Sequence, residues 1–248
     1  MFAVTDVPAR VSISARPRPP QIAVLATGRK AVEPLARVLR ADATVSATIF
    51  LLSPASCAGR RAGLLIGGRG AFPLAERLRA GDAVPLAEVF SFLSGLYFRG
   101  KHAYAEAFAA PPPGAPGALV ITTNRGLLPM DEPVTCADVE AFGSVPIDLA
   151  DARYHEPLTR DATALAGSLP ADAVVVLLGS VASGKYVDVL LDIFGARLHF
   201  PMDFVGRGDM SRGGLMLRCV DARTELEYVP VAGSPRRGSR PPRLDPKR

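Results

Sequence analysis

Ala173-Val174-Val175-Val176-Leu177-Leu178 runs straight into Gly179-Ser180-Val181-Ala182-Ser183-Gly184-Lys185. Six apolar residues closed by a glycine read as a strand buried on both faces, the pattern of a parallel sheet. Tyr186 to Phe194 then reads as a helix. A buried strand feeding a Gly/Ser/Lys loop that opens a helix is a recipe for holding an anion. The loop amides point at the ligand, and the helix N-terminus adds positive potential.

Working outward, strands and helices alternate. Gln21 to Ala26, Val45 to Leu52, Leu64 to Ile66, Ala118 to Thr123, Val145 to Leu149 and Arg197 to Phe200 read as strands. Helices are expected at Val32 to Leu39, Leu74 to Leu78, Leu86 to Phe92, Tyr97 to Ala110 and Leu158 to Leu169. Thr135, with Asp138 three residues on, is placed to cap another. Leu215 to Val220 and Glu225 to Val231 suggest an antiparallel pair across Asp221 to Thr224. The expected fold is α/β: a three-layer α/β/α sandwich with a mostly parallel central sheet and a C-terminal antiparallel hairpin. Residues 1–20 read as a flexible arm, 21–233 as one domain with an internal junction at 111–117, and 234–248 as a disordered basic tail.

The 248 residues are 48% hydrophobic and 21% charged, an ordinary globular balance. The net charge of +5 sits at the ends: Ser234 to Arg248 holds six basic residues and one acid. Attraction to polyanions is therefore assigned to the tail. No apolar run approaches the roughly 18 residues of a membrane span, so no membrane partner is expected. No apolar signal-peptide core is visible near Met1 either. Cys57, Cys136 and Cys219 are widely spaced, which reads as reduced thiols in a cytoplasmic protein without a cysteine metal site. No cofactor is expected, and the oligomeric state is open.

Gly179 to Lys185 fits GxxxxGK, but Tyr186 stands where a phosphate-binding NTPase loop needs Ser or Thr for magnesium. Ser180, Ser183, Gly184 and Lys185 are the expected anion ligands. Gly206-Arg207-Gly208-Asp209-Met210-Ser211-Arg212-Gly213-Gly214 reads as a second glycine-rich loop. Its Arg207 and Arg212 could clamp a phosphate, and Asp209 could serve as a base. Tyr97-Phe98-Arg99-Gly100-Lys101-His102 interleaves aromatic and basic residues. Tyr97, Tyr104 and Phe108 share a helical face and read as core, leaving Arg99 and Lys101 for a ligand. Asn124 and Arg125 leave a strand at the edge where sites form.

Phe90 to Lys101 and Phe204 to Leu215 resemble stretches of a group of uncharacterised bacterial proteins. Val174 to Ala182 is similar to a strand-loop of the uracil-DNA glycosylase superfamily, which includes non-catalytic relatives attached to tRNA-modifying transglycosylases. The chain carries neither that superfamily's Gly-x-Asp-Pro-Gly loop nor its late His-Pro-Ser loop. The resemblance implies an α/β/α sandwich and a link to nucleic acid or nucleobases. The expected function is a nucleic-acid- or nucleotide-associated protein with an anion site on its Gly-rich loops. Asp209 would be the base of any hydrolytic or glycosidic step. A phosphotransferase using the GxxxxGK loop and a non-catalytic interaction module stand as alternatives.

Overall fold

A computed structural model describes residues 46–68 and 70–244. The strand and helix expected at 21–26 and 32–39, and the arm at 1–20, lie outside the described residues. β1 (Thr48–Leu52) is followed by four helices, α1 (Arg60–Ile66), α2 (Pro73–Arg79), α3 (Leu86–Ser94) and α4 (Leu96–Phe108), with the short β2 (Val84–Pro85) before α3. β3 (Ala118–Ile121) and β4 (Leu127–Pro129) come next. β5 (Pro133–Val134), α5 (Cys136–Ser144) and α6 (Ala152–Ser168) lead to β6 (Val174–Leu178) and α7 (Gly184–Phe194). β7 (Leu198–Pro201), α8 (Asp209–Ala222) and β8 (Tyr228–Pro230) complete the chain.

The main sheet has the order β4-β3-β1-β6-β7-β8. β3, β1, β6 and β7 run parallel, and the two edge strands are antiparallel. β2 and β5 form a separate antiparallel pair. Alternate side chains of each central strand serve opposite layers. Phe50, Leu52, Val120, Val176 and Leu178 pack with α1 to α4 and with Met216 of α8. Ile49, Leu51, Ile121, Val175 and Leu177 pack with Tyr154 and Leu158 of α6 and Val187 and Leu190 of α7. The fold is thus the expected three-layer α/β sandwich, and the continuous apolar run at 173–178 exists because both faces are covered.

Three local expectations are corrected. Leu64 to Ile66 ends α1, because Ala62 and Leu65 both turn to the core at helical spacing. Val145 to Leu149 is not a strand; Pro146 starts a run of turns in which Asp148 N–H donates to Pro146 O at 3.0 Å. Leu215 to Val220 lies inside α8, so the hairpin partner of the last strand is β7, with Phe200 opposite Val229. Gly213 explains that helix. A Cβ there would sit 2.5 Å from Leu96 O, and one on Gly100 would sit 2.6 Å from Gly213 O. α4 and α8 therefore cross backbone against backbone, and only glycine fits at both positions.

Thr135 caps α5 as expected: its N–H donates to Asp138 Oδ2 at 2.9 Å, and its hydroxyl accepts from Asp138 N–H at 3.4 Å. Residues 234–244 carry no regular structure. Arg237 Nη2 donates to Ala182 O at 3.2 Å, and Arg236 pairs with Asp188 at 3.3 Å. Among the described residues no helix is long and apolar enough to cross a membrane.

Candidate functional site

In parallel α/β sheets ligands sit beyond the C-terminal ends of the strands, where neighbouring connections leave to opposite faces. β1 and β6 meet that condition. The chain leaving β1 goes to α1 on one face, and the chain leaving β6 goes to α7 on the other. Between them opens a cavity of about 930 Å³. Its walls come from Ser53 to Ala58 after β1, Thr123 after β3, Ser180 to Tyr186 after β6, Tyr97 on α4 and Asp209 on α8. Val145, Pro146 and Ile147, the turns that replaced the expected strand, form a further wall with Phe142.

The loop expected to hold an anion is thus part of this cavity. Ser183 is the N-cap of α7, yet its hydroxyl makes no capping bond, and Gly184 is the first helical residue. Ser180, Ser183 and Lys185 all line the space. The Tyr186 hydroxyl folds back to accept the Ser180 N–H at 3.0 Å. That bond uses an amide which a phosphate-wrapping NTPase loop would offer to its ligand. Gly179 is required here, because a Cβ would sit 2.9 Å from both Ser53 Cβ and the Tyr186 hydroxyl.

Behind the cavity lies a cluster that sequence reading split between ligand and core. Lys101 is fully buried on α4. Its Nζ donates to Ser53 O at 2.5 Å and lies 3.0 Å from Ser53 Oγ. It also stands 4.5 Å from the centre of the Tyr97 ring and 4.8 Å from that of Phe98. Burial pushes the Lys101 ammonium down to about 7; Asp209 opposes the shift and Arg212 adds to it. Arg212 is buried too, and its Nη2 donates to Phe204 O at 3.0 Å while Nη1 lies 3.4 Å from Asp209 Oδ1. Burial raises the Tyr97 hydroxyl well above the ordinary phenol value and also raises that of Tyr186. Among the described residues the buried Tyr97 hydroxyl makes no hydrogen bond of full geometry, and the guanidinium it faces is that of Arg212.

The other expected residues lie elsewhere. Arg207 donates to Asp203 O at 2.9 Å and lines a separate surface groove with Arg240 and Arg243. Arg99 borders another groove beside His102 and Glu88. Arg125 is engaged by Glu132 at 2.5 Å and Asp138 at 3.3 Å. Asn124 borders a third groove with Arg153 and Arg160. Sequence reading missed Ser53, Tyr97 and Tyr186. The position of Ser53 just after an apolar strand was the available signal. Comparison with protein-family models, with curated proteins and with solved structures gave no match for this chain.

Proposed function

We propose that this protein binds a phosphate-bearing ligand of nucleotide size in the cavity between the ends of β1 and β6. The ligand's anionic end lies on Ser180, Ser183 and Lys185 at the start of α7. Its ring or apolar part lies against Tyr97, Phe142 and Ile147. The observation that carries this reading is convergence. Among the described residues, a helix N-terminus whose N-cap hydroxyl makes no capping bond, a lysine, and a buried tyrosine hydroxyl with no hydrogen bond of full geometry share one cavity. About 930 Å³ falls within the range of small-molecule sites. The bond from Ser180 N–H to Tyr186 argues for anion binding at the loop mouth rather than a magnesium-nucleotide wrap.

The test is thermal denaturation of the full chain with inorganic phosphate, nucleobases, nucleoside mono-, di- and triphosphates, and short oligonucleotides. Each is run at about 0.15 and 0.5 M salt, so that screened binding by the basic tail is separated from binding in the cavity. A ligand at 100 times its Kd stabilises by about 2.7 kcal/mol. The expected result is stabilisation by a phosphate-bearing small molecule, reduced at least tenfold in affinity by Lys185→Ala. A flat screen on folded protein, or full affinity in Lys185→Ala, removes the reading.

A further inference from the structure

Lys101 and Ser53 are 48 positions apart in the chain, and the packing of α4 against β1 brings them together behind the cavity wall. The contact is short, 3.0 Å from Nζ to Oγ, and Ser53 borders the open space. Among the described residues no carboxylate pairs with the Lys101 ammonium. The charged groups that act on it are Asp209 and Arg212 of α8, and the titratable hydroxyls nearby belong to Tyr97 of α4 and Tyr186 of α7. A lysine taken out of water by burial loses charge readily, and its neutral amine has a lone pair that can accept a serine hydroxyl proton.

We infer that Ser53 is a nucleophile and Lys101 its general base, acting on a carboxylic ester whose anionic arm is held at the start of α7. This inference rests on reading the cavity as an anion-binding ligand site. A serine is a weak nucleophile until an adjacent base takes its proton, and lysine serves as that base on several unrelated folds. Neutral Lys101 accepts the Ser53 hydroxyl proton as Oγ bonds to the ester carbonyl carbon. The bond from the carbonyl carbon to the ester oxygen then breaks, and the Lys101 ammonium protonates the departing alkoxide to give the alcohol and the neutral amine. Water attacks the resulting Ser53 ester and gives its proton to Lys101. That proton returns to Oγ as the acyl–Oγ bond breaks. The sum is ester plus water to acid plus alcohol. Tyr186, facing Ser53 from α7, is a positioning residue that restricts the hydroxyl's rotation.

The experiment needs no natural substrate. The full chain is incubated with diisopropyl fluorophosphate, from which Ser53 Oγ displaces fluoride, and the product is read by intact mass and peptide mapping. One adduct is expected, on Ser53, forming at a rate that rises with pH through an apparent pKa near 7. Lys101→Met keeps the volume and removes the base, and slows labelling at least 100-fold. Ser53→Ala abolishes it. Cooperative thermal unfolding shows whether each variant is folded, and if Lys101→Met is not, the wild-type pH profile decides. Four results overturn the inference: no adduct on folded protein, an adduct on another residue, wild-type labelling in folded Lys101→Met, or a rate independent of pH. Absent labelling with phosphate-ligand stabilisation intact removes the nucleophile pair alone. Ser53 labelling without any ligand stabilisation removes the anion site alone.

Discussion

Lys101 carries a cost that pH exposes. Its folded-state value is about 7 against an ordinary 10.5, so between these limits the unfolded chain binds the proton and the folded chain does not. Below pH 7 both states are charged and the full burial cost is present. As pH rises above 7 the folded state sheds it, and stability climbs by at most about 1.4 kcal/mol per pH unit. Cys57, pushed up by burial from 9.0 to about 12, acts in the opposite sense above pH 9, and the buried tyrosines do so above pH 10. The window for measurement is therefore pH 7 to 8.5. Urea unfolding there should show wild-type stability rising with pH and the Lys101→Met slope flattened. Equal slopes would mean that Lys101 stays charged when buried. Sequence reading placed Lys101 with Arg99 as a ligand group, because basic residues among aromatics look alike in one dimension. What separates them is two positions, about 200° around the helix: Lys101 reaches Ser53 in the core, and Arg99 points to a surface groove.

Among the elements, β6, its loop and α7 were legible because a doubly buried strand needs an unbroken apolar run and the loop needs small residues. α8 was not legible. Met216, Leu217, Cys219 and Val220 suit a strand locally, and four glycines from 206 to 214 suggest a loop. The helix prevails through tertiary contact: Gly213 seats on the backbone of Leu96 and Tyr97, and Met216 is fully buried. Local propensity cannot report a partner more than 100 residues away. Gly213→Ala should therefore destabilise the protein by about 1–3 kcal/mol through overpacking, rather than stabilise it as alanine does in an exposed helix. Equilibrium urea denaturation measures this, and a neutral or stabilising result would mean that the two helices can separate at no cost. The same separation would move Tyr97 and Lys101, since both sit on the α4 turn that faces Gly213.

For the whole molecule, charge and fold are divided. The six basic residues after Ser234 include Arg236 and Arg237, which reach the loop before α7 and α7 itself. Single-stranded DNA binding by the full chain should weaken steeply with salt. Deleting 234–248 should reduce the slope of log K against log salt by up to about 4, at about 0.7 per phosphate contact. An unchanged slope in a filter-binding titration would place the polyanion contact on the folded sandwich instead. The sandwich has its own division. Its two apolar layers touch opposite faces of one sheet, and the cavity takes Tyr97 and Phe142 from one and Val145 and Tyr186 from the other. Substitutions deep in either layer can accumulate over evolutionary time with little regard to the other. At the cavity rim the two layers share one wall, so a substitution at Tyr186 acts on the far side of the sheet through Ser53, which it faces.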